Sequence, residues 1–174
     1  MTTNLQSNLA RFNSLPAVEA ETELLQCCGS KEWARRTIAA RPFANFDQLS
    51  EKAEQVWWSL AAEDWLEAFH SHPKIGEKKA AAATSDQSKR WAETEQAAVN
   101  TAAEETLREL ANLNHQYEKK FGYIFIVCAT GKSSEEMLAI LRARLEKPAG
   151  EELHNAAAEQ SRITQLRLKK LIDS

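Results

Sequence analysis

Tyr123-Ile124-Phe125-Ile126-Val127-Cys128 is the one stretch of this chain with strand propensity, and its reading decides the fold. It is a continuous apolar run rather than an alternating one, so it is expected to be buried on both sides. A lone run cannot make a sheet. It is read either as a buried extended connector or as one edge of a small pairing. Everything on either side of it has helical character. The expected fold is therefore all-α: a single-domain helical bundle over residues 1–174 with one short extended apolar segment, and residues 1–13 forming a flexible N-terminus.

Working outward, Gly122 ends a helix that precedes the strip, expected over residues 103–120. Ser133-Ser134-Glu135-Glu136 reads as a capping box opening a helix that runs to residue 146. Pro148 and Gly150 separate that helix from a last one over residues 151–172. Towards the N-terminus, residues 17–28 are rich in alanine, glutamate and leucine and stop at Gly29. Ser30 caps a helix over residues 31–40, which ends before Arg41-Pro42-Phe43. Asp47 is expected to cap the next helix, residues 48–60. Helical character resumes at Trp65 and ends before Pro73. Residues 74–84 read as a loop or weak helix, and residues 87–99 as a further helix.

The totals agree with one domain of ordinary character. The chain has 174 residues, enough for one core and too few for two comfortable ones. Its 22 basic and 25 acidic residues leave a formal net charge of −3, so no basic excess points to nucleic acid or an anionic membrane. No apolar run reaches the length of a membrane span. The polar N-terminus lacks the apolar core of a signal peptide. Three cysteines, two of them adjacent (Cys27, Cys28 and Cys128), form no disulfide framework, and a reducing, cytoplasmic setting is expected.

Three polar residues fall on apolar helical stripes. If one helical phase runs through to Pro73, then Trp58, Trp65, Phe69 and His72 share a side, and His70 lies roughly 140° from Trp65. His72 is thus the inward histidine. Glu95 follows Trp91 by one turn on the stripe completed by Ala98 and Val99. Arg167 sits among Leu153, Ala156, Ile163, Leu166 and Leu171. Each has an ordinary reading: a hydrogen-bonded structural histidine, a boundary glutamate, an arginine that buries its stem and snorkels. Taken together, a histidine, a carboxylate and a guanidinium facing the interior are the parts of a site for a small anionic substrate.

Other constellations carry less. His70 and His72 are two apart and diverge on a helix, and no HExxH or CxxC spacing occurs, so no metal is expected. Lys74, Lys78 and Lys79 read as a solvated basic cluster rather than a phosphate loop. Cys128 reads as a buried, inert thiol, and Cys27-Cys28 as one core and one surface residue. Adjacent Trp57 and Trp58 cannot both face one core, which suggests a subunit contact. Two further readings stand beside a site for a small anionic substrate: a helical interaction module using its surface tryptophans, and a metal hydrolase using His70 and His72.

The motifs, taken in order, resemble one family. Phe69-His70-Ser71-His72-Pro73-Lys74-Ile75-Gly76 contains an "HPxxG" signature, Arg41-Pro42-Phe43 matches "RPF", and Glu95-Gln96-Ala97 matches "EQA". The strip from Phe121 to Cys128 is similar to "FGxxFxxx", with Gly131-Lys132-Ser133 following, and Ile163-Thr164-Gln165-Leu166-Arg167-Leu168 closes as "IxxLRL". These resemble the OHCU decarboxylases, which act on 2-oxo-4-hydroxy-4-carboxy-5-ureidoimidazoline, a late intermediate of urate breakdown. The resemblance implies an all-helical homodimer, no cofactor, and decarboxylation to (S)-allantoin. It implies catalysis by His72 with Glu95 as acidic partner, and substrate contacts from Pro73, Gln96, the main chain of Phe125, Ile126, Val127, Cys128 and Ala129, and Arg167. One departure stands out: Ala92 occupies a position where many members of the family have serine.

Overall fold

The computed structural model of the chain describes residues 2–74, 86–95 and 104–173. Among these residues there are nine helices and no strand. In chain order they are α1 (Thr2–Ser14), α2 (Ala17–Cys27), α3 (Lys31–Ala39), α4 (Phe46–Trp58), α5 (Ala62–His70), α6 (Asp86–Glu95), α7 (Glu104–Phe121), α8 (Ser134–Leu145) and α9 (Ala149–Asp173). The chain divides into two compact units, residues 1–68 with 161–174, and residues 69–160.

In the first unit α2 packs on α3, α3 on α4, and α1 on α4. Ser30 caps α3 as its sequence position suggests, its hydroxyl accepting the Trp33 amide at 3.2 Å. The cap of α4 is Asn45, whose side-chain oxygen accepts the Gln48 amide at 2.9 Å. Asp47, expected in that role, lies inside the first turn, where its charge favours the helix N-terminus instead. Two indole N–H groups of the core donate to main chain: Trp33 Nε1 to Ala53 O and Trp65 Nε1 to Trp57 O, each at 2.9 Å.

The N-terminal residues are helical. They form α1, with Leu9 and Phe12 buried. The segment is polar on average, yet Leu9 and Phe12 are one turn apart on one face, and that face is covered. Two anchors tie its end down. Asn13 exchanges both amide bonds with the main chain of Phe43, at 2.8 and 2.9 Å. The Arg41 guanidinium donates to Phe12 O and Leu15 O, each at 2.9 Å. The Arg41–Pro42 peptide is cis.

The tryptophan pair splits between core and surface as expected, but it is Trp57 and not Trp58 that faces inward. Trp57 is buried and Trp58 is 42% exposed. Helical phase does not run from α4 into α5, because Ser59–Ala61 interrupt it, so Trp58 does not share a stripe with Trp65 and Phe69. Trp58 instead meets Trp65 edge-on, with ring centroids 5.8 Å apart. Cys27 and Cys28 are both buried, where one surface thiol was expected.

In the second unit α7 packs on α8. Between them residues 124–129 are neither helix nor strand, and Phe125, Ile126, Val127, Cys128 and Ala129 are all buried. Two glycines with positive φ bracket this strip, Gly122 at +82° and Gly131 at +78°, a conformation that a Cβ disfavours. Tyr117 anchors one end of the strip through ring contacts with Phe121, Tyr123 and Phe125 at 4.6, 5.8 and 5.4 Å. The capping box at α8 is complete: the Ser133 hydroxyl accepts the Glu136 amide at 3.2 Å, and the Glu136 carboxylate accepts the Ser133 amide at 2.7 Å.

Candidate active site

The site is described within the second unit. α5 ends at His70, and the chain makes a turn in which the His72 amide donates to Phe69 O at 3.2 Å. His72 therefore stands beyond the helix, and its inward direction comes from this turn rather than from helical phase. Pro73, which cannot continue the helix, follows directly. His70 is exposed, whereas His72 is half-buried, with Nε2 2.7 Å from Oε1 of the fully buried Gln160 on α9. An amide oxygen only accepts, so the ring nitrogen donates in this bond.

The residue before Gln160 serves the apolar strip. One oxygen of the Glu159 carboxylate accepts the Cys128 amide at 2.7 Å. Lys132 Nζ donates to Cys128 O at 2.7 Å, and the Lys132 amide donates to Ala129 O at 3.0 Å. Arg144 donates to Ile126 O at 2.6 Å and lies over the Phe125 ring, 4.7 Å from its centroid. The strip's main-chain groups are thus partnered at these positions without a sheet. Side chains of α8, α9 and the following turn supply what a neighbouring strand would have supplied.

Arg144 is held in turn. It pairs with Glu152, which is fully buried, through Nε at 2.7 Å and a terminal nitrogen at 2.5 Å. The Tyr117 hydroxyl donates to the same carboxylate oxygen, and Asn155 Nδ2 donates to the other at 3.3 Å. Burial pushes the Tyr117 phenol well above its ordinary value, so it remains a donor. A buried carboxylate is tolerable only with such company.

The other expected site residues are distributed as follows. Pro73 is half-buried beside His72. Lys74 pairs with Glu118 at 2.7 Å, which gives part of the expected solvated cluster a specific partner. Glu95 is the last residue of α6; its side chain, that of Ala92, and Gln96, Ala98 and Val99 lie outside the described residues. Trp91 is buried, as its stripe suggests. Arg167 belongs to the first unit and is buried, only 4% exposed. Its neighbours on the expected stripe are uneven: Ala156 and Ile163 are buried, Leu166 is exposed, and Leu168 and Ile172 take the deepest positions instead. Arg167's charge acts on Cys27 and Cys28, lowering thiol pKa values that burial raises more strongly, so that Cys28 is pushed up to about 11.

Sequence reasoning overlooked Gln160, Glu159, Glu152 and Arg144. A signal was present for Gln160. It lies four residues after Ala156 and three before Ile163, so it is a polar residue on the same apolar face that drew attention to Arg167. Glu159 and Glu152 were hidden by their type, since glutamates on a long helix ordinarily face water.

An all-α protein with a half-buried histidine fixed by a buried amide, beside an extended strip braced by charged side chains, has the makings of an acid–base site for a small molecule. The family model described as OHCU decarboxylase matches residues 13–169, and the chain belongs to that family. It is 40% identical over 152 residues to the uric acid degradation bifunctional protein TTL of Arabidopsis thaliana, covering 87% of this chain and 47% of that protein. It is 23% identical over 141 residues to the 2-oxo-4-hydroxy-4-carboxy-5-ureidoimidazoline decarboxylase of Haloferax volcanii, covering 81% of each. A crystal structure of an OHCU decarboxylase in the presence of (S)-allantoin superposes with a TM-score of 0.75 at 37% identity, covering 87% of this chain and 98% of that one. The chain thus spans about half the length of the bifunctional plant protein and nearly all of the solved decarboxylase.

Proposed function

We propose that this protein is a carboxy-lyase that converts 2-oxo-4-hydroxy-4-carboxy-5-ureidoimidazoline to (S)-allantoin and CO2 in urate breakdown, without a cofactor. The observation that carries the reading is the pairing of functions on consecutive residues of α9: Gln160 holds the His72 ring and Glu159 holds the Cys128 amide, each at 2.7 Å. A titratable group and an ordered stretch of buried main chain are thereby tied to one rigid element. Family membership supplies the substrate.

In this reaction the bond between C4 and its carboxylate breaks and CO2 leaves. The electron pair passes into the adjacent C5 imine, whose nitrogen takes a proton from solvent; C5 then takes up a proton as the 4-hydroxyl gives up its own to become a carbonyl. The ring itself delocalises the pair. The protein's part is to set the carboxylate out of the ring plane, favour the developing charge and deliver the proton to one face. His72 engages the 4-hydroxyl and shuttles the proton, a task suited to imidazole near neutral pH. Glu95 orients His72 or crowds the leaving carboxylate. Pro73, Gln96 and the main chain of Phe125, Ile126, Val127, Cys128 and Ala129 shape the pocket, and Arg167 holds an anionic or ureido end of the substrate.

The protein acts as one catalytic domain over residues 1–174, in the cytoplasm, and as a homodimer. Exposed Trp58 supports a subunit contact. Among the described residues no helix is long and apolar enough to cross a membrane. The test is conversion of freshly generated substrate followed by circular dichroism. Spontaneous decay gives racemic allantoin, so accumulation of one enantiomer supports the assignment, and a racemic product at the uncatalysed rate sinks it.

A further inference from the structure

We infer that Gln160 is a positioning residue that fixes the neutral His72 ring as its Nε2–H tautomer, which makes Nδ1 the lone-pair nitrogen that handles the substrate's proton. The inference deepens the proposed function and rests on it for the word substrate, but its geometric part stands alone. Gln160 is fully buried on α9, its Oε1 lies 2.7 Å from His72 Nε2, and that oxygen has only lone pairs to offer.

Three features favour a positioning role over a filler role. The bond joins residues 88 apart in sequence, so it holds the turn after α5 to α9 rather than stabilising a local structure. His72 follows the end of its helix and precedes Pro73, and a ring in such a turn has no helical ladder to orient it. Gln160 also has a neutral amide where a glutamate would bring a charge. It selects a tautomer and a ring plane without placing a full negative charge against a proton shuttle. The imidazolium formed when Nδ1 takes the hydroxyl proton keeps its Nε2–H bond to Gln160 unchanged. No rearrangement is then needed between taking that proton and returning one to C5.

The experiment reads the ring directly. The full-length protein is labelled with 15N-histidine, and the four histidines are distinguished by the signal lost in His72→Ala. Long-range 1H–15N correlation at a pH where His72 is neutral then assigns its tautomer. The wild type and Gln160→Glu, which keeps an acceptor in place, are expected to show Nε2 protonated. Gln160→Leu is expected to show a mixture of tautomers. In turnover, Gln160→Leu is expected to lower kcat by about 100-fold, the scale of a misplaced catalytic group, with KM nearly unchanged. Gln160→Glu, which keeps the tautomer but sets a charge against the shuttle, should recover only part of that loss and move the pH profile of kcat upward.

A wild-type ring protonated at Nδ1, or an unaltered tautomer in Gln160→Leu, overturns the inference. If Gln160→Leu does not fold, the wild-type and Gln160→Glu spectra still decide it. If the wild type shows the Nε2–H tautomer but forms no (S)-allantoin, the proposed function fails while the assignment of the tautomer survives.

Discussion

The Glu159 carboxylate accepts the amide of Cys128 at 2.7 Å, across 31 residues of sequence. A hydrogen bond to a charged acceptor is worth about 1.5–3 kcal/mol. Here it fixes the middle of a strip that has no sheet around it. If that strip contacts substrate, Glu159→Ala is expected to raise KM by about 10-fold or more with a smaller change in kcat, while Glu159→Gln keeps a neutral acceptor and loses less. Steady-state kinetics, with hydrogen exchange at the Cys128 amide as the structural control, check this. Faster exchange with unchanged KM would separate the strip from substrate binding.

His72→Ala is expected to remove the acid–base contribution, about 10²–10⁴-fold in kcat. Far-UV circular dichroism should be unchanged, because His72 lies outside α5 and removing its ring breaks no backbone hydrogen bond of a helix. Near-wild-type decarboxylation by this variant would remove His72 from the mechanism.

Arg144 and Glu152 form a buried pair, and removing one partner leaves the other charged and enclosed. Arg144→Ala is expected to cost about 3–5 kcal/mol, the range for a broken buried ion pair. Urea unfolding followed by tryptophan fluorescence measures it. A loss below about 1 kcal/mol would mean that the site is wetter than its burial implies.

All three cysteines are buried, and burial pushes the Cys28 thiol up to about 11 and Cys27 higher still. At pH 8 a thiol with that pKa is about 0.1% thiolate. The native protein is expected to react with Ellman's reagent at none of the three on the minute scale, and at all three in denaturant. Rapid reaction of one native thiol would locate an opening motion near it.

Glu32 is held down to about 2 by hydrogen bonds from Arg35 and Arg36. Because its folded value lies below the ordinary 4.5, this contribution is present above pH 4.5 and disappears as pH falls towards 2. The stability difference between wild type and Glu32→Gln, followed by thermal unfolding across that window, is expected to shrink as the solution becomes more acidic. Arg35 and Arg36 are exposed and Glu32 is only half-buried, so the difference should be small and weakened by salt.

Much of the helical frame could be read locally. Ser30 and the Ser133–Glu136 box carry their signal within four residues, and Gly122 marks a helix end by needing positive φ. What was not legible depended on partners far along the chain. Leu9 and Phe12 looked like part of a loose polar end because nothing nearby shows what covers them. The choice between Trp57 and Trp58 turned on where α4 stops. Arg167 was legible as buried because arginine on an apolar stripe is unusual, whereas Glu152 was not, since its burial requires Arg144, Tyr117 and Asn155 together. The extended strip was legible as buried, but the side chains that stand in for a sheet were not.

α9 also works as a ruler. Glu152 and Glu159 are seven residues apart, two helical turns, and Gln160 is the next residue along, so the spacing of their partners is written into the pitch of one helix. Substitutions at intervening positions leave that spacing alone. One residue inserted between 152 and 159 would turn everything beyond it by about 100° and advance it by about 1.5 Å. The Arg144 anchor would then fall out of step with both the Cys128 and His72 anchors at once. An insertion or deletion in this segment is therefore expected to do more damage than a substitution at an exposed position within it.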